Sequence, residues 1–312
     1  MVELQERMRC CGSVAESSLP LPGHGSTPVR HRALLELGRK DLSLARMAEA
    51  HTDALAILAE AGHRARPDSL YGVWASDGPH SRVAATRLRN GNWRLDGIKQ
   101  YCGGATFLTC ALITARVDDA VRLFEVPLDH PGVRPLASTW ATPALSDTAT
   151  GPVALEAVTL SEGAVVGDDN WYLDRPGFWH GAIGPAACWA GGAQSLVDAA
   201  AALERCDAHS RAHVGALHAI SWGFLAALDQ AGREIDDDPA DERGRGRVRA
   251  LKVRHLIERW CTETLDRFGR ATGPQLLCSD PQIARQHMAL TLYLRQCHAE
   301  RDLEAIAAAG SS

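Results

Sequence analysis

Most of the signatures that would settle this chain's chemistry at once are missing. No C-x-x-C pair occurs among its nine cysteines. Their odd number and irregular spacing make a poor disulfide framework, so reduced thiols in a cytoplasmic protein are expected. There is no G-x-G-x-x-G behind a strand and no P-loop, which removes the ordinary dinucleotide and nucleotide folds. Ser195 stands in Ala-Gly-Gly-Ala-Gln-Ser rather than G-x-S-x-G, so a hydrolase elbow is not expected. His209, His213 and His218 share one predicted helix but lack the Glu of an H-E-x-x-H motif, so no metal site is expected. No apolar run is long enough to span a bilayer, and the N-terminal stretch carries no apolar core. Neither a membrane segment nor a secretory signal is expected. The net charge of −5 supplies no basic excess, which argues against nucleic acid as the main partner.

What is present is a chain of 312 residues with 46% apolar content, enough for one large or two smaller cores. The most informative stretch runs from Asn90 to Ala115. Asn90-Gly91 predicts a type I′ hairpin turn between two half-alternating strands, VAATRLR and NWRLDG. Tyr101-Cys102-Gly103-Gly104-Ala105 follows, an aromatic and then small residues whose main-chain N–H groups no side chain shields. Such a place suits a flat ligand laid against a sheet edge. FLTCALITA then returns as a strand buried on both faces.

In chain order, residues 1–30 read as an irregular N-terminus and 31–66 as a short helical segment. Its main helix is predicted over 41–61, capped by Asp41 and ended by Gly62, after a shorter one over 32–37. Residues 67–172 form a middle β domain of about six short antiparallel strands. Residues 173–312 form a C-terminal bundle of four long helices, the last running unbroken from Pro281 towards the end, with Asp280 as its cap. Gly181, Ala182, Gly184, Ala187, Gly191 and Gly192 let the first of the four pack closely on its neighbours.

This order, an α+β layout with shortened N-terminal helices, a middle antiparallel β domain and a C-terminal four-helix bundle, resembles the acyl-CoA dehydrogenase superfamily. WRLDGIKQYCGGA is similar to that family's flavin-facing strand, with Asp96, Gly97, Lys99, Tyr101, Cys102, Gly104 and Ala105 fitting. YGVWAS stands at its first flavin-facing strand, and Arg211-x-x-Val-Gly215 resembles its Arg-x-x-Phe-Gly. The last helix resembles the flavin-monooxygenase-like branch. The resemblance implies FAD beside Tyr71, Val73, Trp74, Ser76, Tyr101, Cys102, Gly103 and Gly104. It also implies a homo-oligomer, dimer or tetramer, in which Arg211 reaches the pyrophosphate of a neighbouring subunit's flavin. The family's carboxylate base would fall near Arg295-Gln296-Cys297, where no acid stands, so His298 is the candidate catalytic base. Trp74-Ala75-Ser76 replaces Thr-Glu-Pro, and Gly103 replaces a Thr or Ser.

Three functions remain open on these residues. One is desaturation of an acyl thioester or related small substrate, acyl-CoA among them, with an electron-transfer partner. Another is a flavin monooxygenase supplied by a reductase. The third is a non-catalytic subunit of the same fold.

Overall fold

The computed structural model describes residues 4, 6, 8, 19–78, 82–203 and 207–309. The chain divides into two compact units, a strand unit holding residues 50–142 and 146–178 and a helical unit holding 19–49, 143–145 and the chain from 179 onward. Residues 19–49, read from the sequence as part of a separate N-terminal portion, are thus allotted to the helical unit.

From residue 19 on, the first two helices are α1 (Thr27–Lys40) and α2 (Leu42–Glu60). The second matches its predicted limits. The first is longer than the predicted 32–37, because Pro28 sits in its opening turn, where a missing N–H costs nothing. The strands are β1 (Tyr71–Trp74), β2 (Val83–Arg87), β3 (Trp93–Cys102), β4 (Cys110–Val117), β5 (Ala120–Pro127), β6 (Val133–Pro135), β7 (Gly151–Leu160) and β8 (Val165–Val166). They make one 8-stranded sheet in the order β6-β7-β3-β2-β4-β5-β8, with β1 added on β4. The sheet is mixed rather than wholly antiparallel, since β4 runs parallel to both β1 and β2.

The β2–β3 hairpin forms, but not through a type I′ turn. Of its two central residues only Gly91 takes a positive φ, +84°, and Leu88 and Asn92 close the loop through the Leu88 N–H and the Asn92 carbonyl at 2.8 Å. The Asn90 side chain accepts from the Asn92 N–H instead, so a local side-chain bond takes the place of the second left-handed residue.

One core of the strand unit gathers Trp74, Leu95, Cys102, Ile113, Phe124, Val126 and Val158. Another sets Tyr71, Cys110, Leu112 and Leu123 against Ala54, Ile57 and Leu58 of α2. Alternation along β1 therefore sends Tyr71 and Trp74 to different cores.

Beyond the short helices α3 (Trp171–Asp174) and α4 (Pro176–Gly181), the helical unit is built from α5 (Gly184–Ala201), α6 (Ala208–Asp236), α7 (Gly246–Thr272), α8 (Gln275–Ser279), α9 (Pro281–Tyr293) and α10 (Glu300–Ala309). Asp207 caps α6 by accepting from the N–H groups of His209 and Ser210, and Asp280 caps α9 as predicted. Close approach of α5 to α1 depends on Gly191, where a Cβ would lie 2.0 Å from the Leu35 carbonyl oxygen.

The predicted unbroken last helix is instead interrupted. A 3-10 turn over Leu294–Gln296 ends it, and Ala299 takes a φ of +46° before α10 begins. Asp302 stabilises the break by accepting from the His298 N–H at 3.3 Å. Among the described residues no helix is long and apolar enough to cross a membrane.

Candidate functional site

The residues named from the sequence fall into three places. Four of the strand-unit residues turn inward. The Tyr71 ring is fully buried, its hydroxyl donating to Glu125 Oε1 at 2.5 Å and accepting from the Arg66 N–H at 2.7 Å. Burial first, then the Glu125 bond, raises its pKa above the ordinary phenol value. Val73 packs partly buried on the same core. Trp74 is 3% exposed, and its indole N–H donates to the Gly103 carbonyl at 3.0 Å. Cys102 is fully buried, and burial pushes its thiol up to about 12, which leaves it an inert packing group rather than a redox thiol.

The expected shelf of free main-chain donors is largely occupied. The Gly104 N–H donates to the Thr148 carbonyl at 2.8 Å and the Ala105 N–H to the Ala149 carbonyl at 3.3 Å. The physical reason is ordinary. A glycine turn at the end of a buried strand must satisfy its own backbone groups, and a neighbouring segment does so. What stays outward is Tyr101, 63% exposed and held at a φ of +58° by the irregular pairing at the end of β3. Gly103 is half-buried beside it, and Ser76 is exposed just past β1.

Lys99 is a residue that the sequence placed in a motif without a role. Its ammonium is fully buried and donates to Asp77 Oδ1 at 2.7 Å, Thr114 Oγ1 at 2.8 Å and the Thr114 carbonyl at 3.1 Å. Thr114 Oγ1 in turn donates to the Ala75 carbonyl at 3.0 Å. Lys99 therefore ties the segment after β1 to β3 and β4. The strand unit also holds a cavity of about 350 Å³ at the start of β1 and β4, lined by Arg66, Ser69, Thr109, Cys110, Leu128 and Asp129 among others.

Arg211 and His298 belong to the helical unit. Arg211 is exposed in the first turn of α6. His298 lies in the break between α9 and α10, its ring 60% exposed and its Nδ1 3.8 Å from Asp302 Oδ1. Asp302 is almost wholly buried. The imidazole thus has a carboxylate near one side, beyond hydrogen-bond distance, and is open on the other, an arrangement open to a proton-transfer group and equally to a loose surface ion pair.

Sequence reasoning passed over a second group in the same unit. The Arg46 guanidinium lies 5.6 Å from the Tyr293 ring centre, Tyr293 packs edge-on to Trp189 at 6.0 Å, and the Arg254 guanidinium lies 4.8 Å from the Trp189 ring. Trp189 and Tyr293 are buried, while both arginines are half-buried. Burial lowers the pKa of both guanidinium groups and raises that of Tyr293. The available signal was Arg46 itself, a cation inside Leu-Ala-Arg-Met-Ala on a helix otherwise read as apolar.

No protein-family model matches the sequence, and no curated protein does. Solved structures do resemble the chain. Dibenzothiophene monooxygenase TdsC from Paenibacillus sp. A11-2, in its complex with FMN and indole, superposes with a TM-score of 0.79 at 17% identity, over 90% of this chain and 82% of that one. KijD3 in complex with FMN and a dTDP-linked amino-keto sugar gives 0.78 at 18% identity, over 99% and 91%. The nitrososynthase from Micromonospora carbonacea var. africana gives 0.78 at 17% identity, over 100% and 94%. At such identities the likeness establishes the fold alone, an acyl-CoA dehydrogenase-like fold. These proteins include an oxygenase, and two of the three were solved with FMN rather than the FAD that the sequence resemblance implies.

Proposed function

We propose that this protein is a flavin-dependent oxidoreductase of the monooxygenase type, using FMN in preference to FAD and acting on a small organic substrate. The observation that carries this reading is the match of nine-tenths or more of the chain to enzymes solved with FMN. It favours oxygen chemistry over acyl-CoA desaturation, as does the absence of a carboxylate at Arg295-Gln296-Cys297. When bound and reduced, the flavin would supply the electrons for the oxygen chemistry.

The residues present fit such a group in part. Tyr101 offers an exposed ring face for stacking, with Gly103 beside it. The Gly104 and Ala105 N–H groups, already bonded, offer nothing further. Trp74, held on the Gly103 carbonyl, keeps this end of β1 and β3 rigid. Arg211, exposed on α6, is the candidate for a cofactor phosphate, lent by a second copy of the chain in a homo-oligomer. His298, its ring 60% exposed and its Nδ1 3.8 Å from Asp302 Oδ1, is the candidate to hold or move a proton.

Titration of the purified protein with FMN and with FAD, followed by quenching of flavin fluorescence, tests the reading. Saturable FMN binding, weakened at least tenfold by Tyr101→Ala, is expected. Binding of neither flavin overturns it. FAD bound more tightly than FMN keeps the oxidoreductase class and overturns the choice of cofactor.

A further inference from the structure

We propose that the outer face of α6 is a self-association seam. Two copies of this chain pair their α6 helices antiparallel, with Trp222 of each seated over Gly215 of the other. The pairing rests on α6 alone and does not depend on the flavin reading.

The outward faces of the two longest helices differ. On α7 the exposed positions carry Arg247, Lys252, Arg259, Glu263, Asp266 and Arg270, with Leu256 the exception. A helix that faces water reads in this way. On α6, from Ala212 to Ala226, the exposed positions carry Ala212, Gly215, Ala219, Trp222, Leu225 and Ala226, and His218 is the one polar residue among them. Positions 212, 215, 219, 222 and 226 recur at alternating steps of three and four, the spacing of a seam against a second helix. Trp222 is 75% exposed and Leu225 42%. A continuous apolar stripe of this kind marks a face that another surface covers.

Gly215 shows how close that surface comes. A glycine inside a helix is less favourable than alanine, and close approach of a neighbour is what justifies it. The other glycines of α6 have such a neighbour within the chain. A Cβ on Gly223 would lie 3.2 Å from the Trp260 ring, and one on Gly232 2.7 Å from the Pro28 nitrogen. A Cβ on Gly215 would meet nothing within 4 Å, and its φ is not in the left-handed region. The chain itself supplies no reason for this glycine, whereas a ring arriving from outside does.

The stripe is its own match, which selects a second copy as the occupant. A twofold axis between His218 and Ala219 sets Trp222 opposite Gly215, Leu225 opposite Ala212, and His218 opposite Ala219. Each large apolar side chain thereby meets a small residue, and every exposed position of the stripe meets an exposed position. Contacts between identical subunits have this property, because one patch serves both partners. A foreign partner would not require the stripe to complement itself. The ends agree in charge as well. Asp207, exposed at the N-cap, comes within one turn of Arg233 of the second copy, exposed in the last turn, and the symmetry makes this pair twice. Antiparallel helices also set opposite dipole ends side by side.

The test uses the full chain, with light scattering after size exclusion and disulfide trapping. The wild type is expected at the mass of two chains or a multiple of it. Trp222→Glu and Gly215→Leu should each reduce that mass by half or more, with helix content by circular dichroism unchanged, because both positions face outward. Ala219→Cys, beside the axis, should give a covalent dimer on oxidation beyond what the wild type forms through its own cysteines. Ala212→Cys should not, because residue 212 of one copy stands level with residue 225 of the other, about 20 Å along the helix from its own counterpart. A monomeric wild type, or a mass unchanged in both Trp222→Glu and Gly215→Leu, overturns the seam. No trapping at 219, or trapping at 212 in its place, overturns the antiparallel register.

Discussion

The two units bury cations in opposite ways. In the strand unit the Lys99 ammonium is sealed from solvent and meets a carboxylate, a hydroxyl and a carbonyl within 3.1 Å. In the helical unit Arg46 and Arg254 are half-buried among aromatic rings, with no carboxylate paired to either among the described residues. A buried charge whose donors are all met holds strands together and has no reason to bind anything else. A half-buried charge without a paired carboxylate relies on ring faces, main-chain carbonyls and more distant acids, and contributes less to stability. Buried cations are thus held by a carboxylate in one unit and by rings and main-chain carbonyls in the other.

The sharpest way to break this contrast is to remove one partner from each. Asp77→Asn leaves the Lys99 charge buried without its counter-ion and should cost about 3 kcal/mol in urea unfolding. Arg46→Met removes a charge that has no ion pair among the described residues and should change stability by less than about 1 kcal/mol. Equal destabilisation by both would end the comparison.

Acid should act next most strongly, on histidines that each unit buries in the neutral form. His31 of the helical unit bonds the Leu228 carbonyl at 3.0 Å and is held at a pKa of about 4, chiefly by burial. His51 of the strand unit accepts from the Tyr71 N–H at 3.2 Å and is likewise held at about 4 by burial. Above the ordinary imidazole value near 6.5 both are neutral, folded or unfolded. As the pH falls below it the unfolded chain takes up protons that the native chain refuses, so stability declines from about pH 6.5 and levels off near 4. Each should contribute a loss of about 3 kcal/mol over that window. Denaturant titrations at pH 7.5, 6 and 4.5 should show the decline, and His31→Gln should flatten it. A flat profile in the wild type would show that these imidazoles are charged when buried.

The smallest effect concerns Trp74. Trp74→Phe keeps most of the packing but leaves the Gly103 carbonyl without its donor, and should cost about 1 kcal/mol by thermal or urea unfolding. A much larger loss would mean that the indole carries the core by volume and not by this bond.

Local signals were good guides wherever one element decides the outcome. The helix now seen as Leu42–Glu60, the strands Ala120–Pro127 and Gly151–Leu160, and the Asp280 cap could all be read from periodicity and end residues. The hairpin was legible but its turn type was not, because Asn90 spends its side chain on the Asn92 N–H. The parallel neighbours of β4 were not legible, since pairing partners far apart in sequence leave no mark on a strand's own pattern. The last helix looked continuous because no proline or glycine marks residues 297–299, and only the bond from His298 to Asp302 and the left-handed Ala299 create the break.

The sequence by itself determined which segments are helix and which are strand, the broad α+β layout, and the short list of residues able to carry chemistry. Tertiary structure decided which of those residues face outward. It buried Tyr71, Trp74 and Cys102, engaged the amides of Gly104 and Ala105, and left Tyr101 and His298 exposed. It also drew Arg46, Trp189, Arg254 and Tyr293 together from four separate helices. The physical reason is that helix and strand preferences arise from neighbours a few residues apart, whereas burial and charge pairing depend on which distant segments come to share a face.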